Sequence, residues 1–188
     1  LLGCRERAHE LLDEALELAK RVSANDPLPN LHINVGVLML DQDQLALAAA
    51  SFDSALRLAR ESGKRSLEVN AMFQLGRCSL LVGDARTSQE RFLETLQCAT
   101  DMRHREKVLD SLVGLAWVRA RLGDVRRAER LLTIALAHSA TSPGTTRWAH
   151  ELREALALGI ERASGAPGSI ADGAVVMRAV DEALAVSN

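Results

Sequence analysis

Apolar residues recur along the chain at steps of three and four positions, which is the period of an amphipathic α-helix. Short polar or glycine-containing segments separate these stretches, in their best form Val82-Gly83-Asp84 and Leu122-Gly123-Asp124. Glycine there supplies the positive φ that ends a helix, and aspartate can cap the next helix. The predicted helices run over about 4–21, 30–41, 44–61, 66–82, 85–101, 106–122, 125–140, 145–162 and 170–186.

The helical pattern repeats with a period of 40 residues. Each unit places a small residue, a large apolar residue and a second small residue at fixed positions of its second helix. These residues are Ala8, Ala48, Ser88 and Ala128; Leu12, Phe52, Phe92 and Leu132; Ala15, Ala55, Thr95 and Ala135. In the first helix, Gly36, Gly76 and Ala116 have the same spacing. Small residues let two helix backbones approach closely, and large ones fill the space between neighbouring pairs.

This order resembles the tetratricopeptide repeat, in which Leu-Gly in helix A precedes Ala, a large apolar residue and Ala in helix B. Val35-Gly36, Ala48, Phe52 and Ala55 carry the resemblance in the second unit. The long units are similar to those of repeat arrays in bacterial signalling ATPases and transcription regulators of the maltose-regulator type. The family's helix A aromatic residues are not kept. In their places stand His32, Met72, Leu112, Met39, Ser79 and Arg119.

The resemblance implies an all-α fold, a right-handed α-solenoid of antiparallel helix pairs. We expect tetratricopeptide-like repeats over residues 1–140 and a degenerate capping helix pair over 141–188, with a linker at 163–169. The first unit lacks its helix A. Because repeats bury each face against a neighbour, we expect the chain to be the C-terminal repeat region of a larger protein. The predicted units run over about 2–21, 28–61, 66–101 and 106–140.

Composition and charge narrow the function classes. Leu and Ala make up about a third of the 188 residues, and the chain has no Tyr, which argues against a β-sandwich or barrel. The net charge of −2 indicates no global attraction to nucleic acid or to an anionic membrane. No apolar run approaches the roughly 20 residues that span a bilayer. Cys4, Cys78 and Cys98 form no CxxC pair, so we expect a reducing compartment and a cytoplasmic protein.

No catalytic or metal-binding motif is recognisable. The sequence has no HExxH, no zinc-finger spacing, no GxSxG elbow and no phosphate-binding glycine loop. We therefore expect no enzyme, no metal and no cofactor. His138 and His150 flank a turn, but two histidines do not make a site. The arginine-rich stretches 103–107 and 119–130 contain interleaved acidic residues, so we interpret them as a solvated, salt-bridged surface and not as a nucleic-acid site.

In the family that the chain resembles, the A helices line a concave groove that binds a protein or peptide segment. Asn and Gln there would bond the partner's backbone, and Trp117 and Arg77 would anchor the interface. Trp117 has a second interpretation, in which it packs inside the superhelix or against the C-terminal helix. The predicted partner-binding residues are Asn34, Val37, Asn70, Phe73, Gln74, Arg77, Asp110, Val113, Trp117 and Arg121.

The function predicted from these patterns is a non-catalytic scaffold module that binds a protein or peptide, as part of a bacterial signalling or transcription regulator. Two alternatives stay open. One is a small-ligand or signal-peptide sensor, which would need a deep pocket lined by Phe73, Arg77 and Trp117. The other is a self-assembly module that associates through the exposed face of helix 4–21.

Overall fold

The fold is all-α. The computed structural model describes residues 27–157, and all regular structure in this range is helical. The chain divides into two compact units, Leu1–Val82 and Gly83–Asn188, and the division falls within the predicted repeat unit 66–101. The predicted linker at 163–169 and the predicted helix at 170–186 lie outside the described residues. Upstream of residue 27, five positions are described and helical: Arg7, Leu11, Glu14, Glu17 and Leu18.

Unit 1 contains the helices α1 (Leu28–Leu40), α2 (Leu45–Glu61) and α3 (Arg65–Val82). Their bounds lie within two residues of the predicted ones. Pro29 stands in the first turn of α1, where the amide that proline lacks would have no helical partner. Asp43 takes a positive φ of 57° in the predicted turn between α1 and α2. Each helix contacts the next, and α1 also contacts α3.

The core of unit 1 is built on the recurring positions of α2. Ala48, Phe52 and Ala55 are completely buried. A Cβ at Gly36 would lie 2.5 Å from Cε1 of Phe52. The ring of Phe52 therefore lies directly on the backbone of α1, which confirms the predicted close approach at Gly36.

Unit 2 contains α4 (Ala85–Asp101), α5 (Arg105–Arg121), α6 (Val125–Ala137) and α7 (Pro143–Ala157). α4 contacts α5, α5 contacts α6, and α6 contacts α7, while α5 also contacts α7. This pattern is compatible with a helical repeat, because each helix meets the next helix of the chain and α5 meets the helix two further on. No helix of the described residues is long and apolar enough to cross a membrane.

The recurring positions are buried in unit 2 as well. A Cβ at Gly114 would lie 2.7 Å from Cε1 of Phe92, so a second phenylalanine ring rests on a helix backbone. The same three positions therefore form the core of both units, in α2, α4 and α6. The residues of unit 2 that are completely buried at these positions are Ser88, Phe92, Thr95, Ala128, Leu132 and Ala135.

Aspartate caps start two helices of unit 2, as the turn sequences predict. Asp84 accepts a hydrogen bond from the Thr87 amide at 3.0 Å, and Asp124 accepts one from the Arg127 amide at 3.2 Å. The hydrogen bonds from Thr87 hold the pKa of the exposed Asp84 carboxyl below its usual value. Gly123, with a φ of 78°, supplies the backbone reversal just before the second cap.

α6 ends at Ala137, three residues earlier than predicted. The next residue, His138, has an extended backbone with φ −92° and ψ 132°. The Thr141 hydroxyl is within hydrogen-bonding distance of the carbonyl oxygens of Ala135 and His138. These contacts satisfy carbonyl groups that a continuing helix would otherwise have used.

α7 begins at Pro143, two residues earlier than predicted. Proline fits the first helical position because its fixed φ is already helical. The Ser142 hydroxyl oxygen accepts a hydrogen bond from the Thr145 amide at 3.2 Å, which caps the new helix.

Candidate partner-binding surface

The predicted partner-binding residues of unit 1 lie on α1 and α3, two helices that contact each other. On α1, Asn34 is exposed and Val37 is half-buried. On α3, Asn70 and Arg77 are half-buried. Because Asn70 and Arg77 are seven residues apart, they project from the same side of α3.

Arg77 is held in place by a neighbour on the same helix. Its Nη1 donates a hydrogen bond to Oε1 of Gln74 at 3.1 Å. Gln74 is itself buried, so the amide is fixed and orients the guanidinium. Phe73 is also buried, and its ring belongs to the core of unit 1. Among the predicted partner-binding residues of unit 1, the accessible side chains are therefore two amides, one guanidinium and one small apolar side chain.

The other predicted residues lie on α5 in unit 2, where Asp110 makes structural contacts. Asp110 is 7% exposed, and its Oδ2 accepts from Nζ of Lys107 at 2.8 Å. Its Oδ1 accepts from the hydroxyl of Thr145, the residue that Ser142 caps on α7. A buried carboxylate needs such partners. Asp110 therefore ties α5 to α7.

Val113 is completely buried, and Phe73, forty residues before it, is buried as well. At the equivalent position of α7, Nε of Arg153 lies 3.5 Å from Oε2 of Glu129 on α6.

Trp117 stacks on Trp148 of α7. The two ring centroids lie 6.3 Å apart with an interplanar angle of 20°. Nε1 of Trp117 donates a hydrogen bond to the Trp148 carbonyl oxygen at 3.4 Å. Trp148 also meets Phe92 of α4, at a centroid distance of 6.3 Å and a tilt of 58°. Trp117 therefore packs against α7, whereas the last predicted helix, 170–186, lies outside the described residues.

The arginine-rich stretch 119–130 is divided between two helices. Arg119 is buried and Arg121 is half-buried on α5, whereas Arg126, Arg127 and Arg130 are exposed on α6. Arg127 pairs with the Asp124 carboxylate at 3.4 Å, an ion pair of the kind predicted for this surface.

Two observations bear on metal and nucleophilic chemistry in the described part of the chain. No cluster of three or more His, Cys, Asp or Glu there could hold a metal ion. Burial raises the pKa of the Cys78 thiol to about 11, and the Asp53 carboxylate adds to this against the opposing Arg77 guanidinium. A thiol with so high a pKa is not an activated nucleophile.

Sequence reasoning missed two residues that shape this surface, Thr145 and Trp148. Gly114 stands at a groove position of the family that the chain resembles, but two positions before the recurring small residue Ala116, so its packing against Phe92 was not predicted. Trp148 falls on the apolar face of the predicted helix 145–162, but the sequence assigns it no partner. Nothing in the sequence distinguishes Thr145 from the other hydroxyl residues of its turn.

No family model, no curated protein and no solved structure matches the chain. The function proposed for this chain therefore rests on the physical chemistry of the described residues.

Proposed function

We propose that the chain is a tetratricopeptide-like module, a right-handed α-solenoid of helix pairs that binds a protein or peptide partner without catalysis. Two features support the architecture: the 40-residue recurrence of completely buried positions and, within each of the two units, the contacts of each helix with the next. The odd cysteine count favours a reducing compartment, so the proposal places the module in the cytoplasm of a bacterial cell, within a signalling or transcription regulator.

The observation that carries the binding proposal is the accessible side of α1 and α3 in unit 1. Asn34, Val37, Asn70 and Arg77 keep solvent-accessible surface on two helices that contact each other. Most other large apolar residues of these helices are buried, although Leu81 near the end of α3 is half exposed. Apart from Val37, the four side chains are hydrogen-bonding groups, one of them a cation, which suits a peptide better than a purely apolar ligand.

Each of these side chains has a defined task in the proposed complex. Asn34 and Asn70 hydrogen-bond the main chain of the partner segment, and Val37 covers an apolar side chain. Arg77 pairs with a carboxylate of the partner, with two parallel N–H donors where the geometry permits. Because Gln74 already orients the guanidinium, little side-chain entropy is lost on binding. The partner is therefore a segment with at least one acidic residue.

A peptide selection on the full chain tests this proposal. Peptides are selected from a random displayed library, and the affinity of the best ones is measured by fluorescence anisotropy. We expect Arg77→Ala to weaken binding at least tenfold, the loss typical of an interface anchor of about 1.4 kcal/mol or more. Asn70→Ala is expected to weaken it by a smaller factor. Peptides enriched in Asp or Glu are the expected selection outcome.

Arg57→Ala is the matched control, because Arg57 is an exposed arginine of α2 whose Nη1 pairs with Glu61 at 2.9 Å. This variant changes the net charge by the same amount on a helix outside the proposed surface. An equal loss of peptide affinity in the Arg57→Ala and Arg77→Ala variants would show that the loss comes from the change in net charge. Unchanged binding after Arg77→Ala would refute the proposed surface.

Self-association is a second candidate function, favoured by one observation. Leu11 and Leu18 are about half exposed, at 48% and 57%, and stand seven residues apart on one side of a helix. Such a spacing is typical of a helix that pairs with a second helix. Light scattering of the chain and of a Leu11→Glu, Leu18→Glu variant tests this function. A dimer that becomes a monomer supports it, and a wild-type monomer at high concentration excludes it.

A further inference from the structure

α7 buries a narrow stripe of its surface in unit 2, in addition to the stacked ring of Trp148 and the ion pair of Arg153 with α6. Three of its residues are buried, namely Thr145, Ala149 and Leu152, at the four- and three-residue steps of one helix face. Its other side is exposed and charged, with Arg147 near Glu151 at 4.0 Å. By contrast, α5 buries residues along most of its length.

The face of α5 that α7 covers has two specific features. One is the ring of Trp117, which is only half-buried and stacks on Trp148. The other is the buried Asp110 carboxylate, which accepts from the Thr145 hydroxyl. A single helix contacts both features when it carries an aromatic ring and, three residues before that ring, a hydroxyl group.

A helix with few buried side chains opens locally at less free energy than the core of its unit. α7 buries three residues, and the segment before it is a turn in which Thr141 and Ser142 make the hydrogen bonds. Opening α7 would leave α4, α5 and α6 with their own contacts, including the packing of Phe92 on Gly114. It would expose Trp117 and the carboxylate of Asp110 together.

We propose that the α5 face carrying Asp110 and Trp117 is a helix-binding surface that α7 occupies within the chain and that a partner helix occupies when α7 detaches. The partner is an amphipathic helix with a Ser or Thr three residues before a Trp or another large aromatic residue. α7 itself, seated on this face, shows that a helix of that pattern fits it. The inference rests on the proposed function in taking the partner to be a protein, but it concerns a different surface from that of α1 and α3.

A synthetic peptide of residues 140–157, labelled with a fluorophore, is the probe. Its anisotropy is measured against the full chain and its variants. Trp148→Ala and Thr145→Val in the chain each weaken the internal helix, so the surface is open for a larger fraction of the time. The apparent affinity scales with that fraction. We therefore expect the probe to bind each variant at least about tenfold more tightly than the wild-type chain.

Three controls make the outcome specific. Adding Trp117→Ala to the Trp148→Ala chain is expected to abolish binding, because the stacking partner is lost. A probe with its own Trp148→Ala change is expected not to bind either chain. Arg147→Ala, on the exposed side of α7, is the matched control and is expected to bind the probe as the wild type does.

Two results would overturn the inference. One is that neither the Trp148→Ala chain nor the Thr145→Val chain binds the probe more tightly than the wild type. If the Trp148→Ala chain loses helix by circular dichroism, the Thr145→Val chain decides the outcome, because valine keeps the shape of the threonine side chain. The other is binding that survives the loss of Trp117. The proposed function is tested separately, because peptides that depend on Arg77 are selected and measured independently of this probe.

Discussion

At Gly114, an alanine would bring a Cβ to 2.7 Å from Cε1 of Phe92, closer than two carbon atoms approach in folded proteins. Phe92 is completely buried, so its ring cannot retreat without disturbing the core of unit 2. We expect Gly114→Ala to lower the free energy of unfolding by about 1–3 kcal/mol, even though alanine is the better helix former. Urea denaturation of unit 2, followed by tryptophan fluorescence, measures this loss.

Gly144→Ala is the control for that substitution, because Gly144 is also a helical glycine of unit 2. The nearest atom to its added Cβ is Oγ of Ser142 at 3.7 Å, an ordinary contact distance. We expect this variant to be as stable as the wild type or slightly more stable. Equal losses at Gly114 and Gly144 would mean that glycine in a helix, and not the ring of Phe92, decides the effect.

The Cys78 thiol makes the stability of unit 1 depend on pH in the alkaline range. Burial raises the pKa of this thiol to about 11, above the ordinary value of 9.0 that it regains on unfolding. The stabilising effect is therefore complete below about pH 9 and is lost as the pH rises through about 11, because only the unfolded chain releases the proton. We expect the melting temperature of Cys78→Ala to fall less steeply over this range than that of the wild type.

Ser79→Ala is the comparison for the thiol, since Ser79 is its half-buried neighbour on α3 and does not titrate in this range. Thermal melts by circular dichroism between about pH 8 and pH 11 measure both variants. A Cys78→Ala slope that matches those of the wild type and Ser79→Ala would contradict the prediction.

Among the elements, α5 has the longest capping hydrogen bond of the four helices of unit 2, each of which is capped by a side chain of the residue before it. Nδ1 of His104 accepts from the Lys107 amide at 3.4 Å, whereas Asp84 and Asp124 make shorter bonds at the starts of α4 and α6. A carboxylate at this position is a preferred cap and also interacts favourably with the helix dipole. We expect His104→Asp to stabilise unit 2 by about 0.5–1 kcal/mol, measured as a shift of its denaturation midpoint.

The reverse change at α6 tests the same physics. Asp124→Ala removes the acceptor of the Arg127 amide and is expected to destabilise unit 2 by about 1 kcal/mol. If His104→Asp lowered stability, the carboxylate at residue 104 would be repelled by acidic neighbours more strongly than the helix start attracts it.

The elements were largely predictable because helices are specified locally. The apolar period and the Gly-Asp turns placed α2, α4 and α5 within one residue of their observed bounds. The errors at the end of α6 and the start of α7 come from hydroxyl groups of Thr141 and Ser142, whose hydrogen bonds the period does not register. The Ser-Pro pair at 142–143 is a helix-cap signal that the pattern of apolar positions does not contain.

The candidate surface was less predictable because burial depends on what covers a helix face. The 40-residue period shows that Val113 and Phe73 are equivalent, but not that both are buried. Likewise, the stacking of Trp117 on Trp148 depends on the register between α5 and α7. A single sequence carries no direct signal for that register.

In the whole chain, the unfolding of the two units can be followed by different spectroscopic signals. Both tryptophans, Trp117 and Trp148, belong to unit 2, and the chain contains no tyrosine, so intrinsic fluorescence reports on unit 2. Far-ultraviolet circular dichroism reports on the helices of both units. The two signals therefore separate the contributions of the units in a single urea titration.

In repeat arrays, stability is a sum of terms within units and between nearest neighbours, so a local defect has its largest effect locally. Gly36→Ala forces a Cβ to 2.5 Å from the Phe52 ring in unit 1, and Gly114→Ala does the same to Phe92 in unit 2. We expect Gly36→Ala to shift the circular dichroism transition to lower urea more than the fluorescence transition, and Gly114→Ala to shift the fluorescence transition more. If the two transitions coincide in both variants and move together, the chain unfolds as one two-state unit and the prediction is wrong.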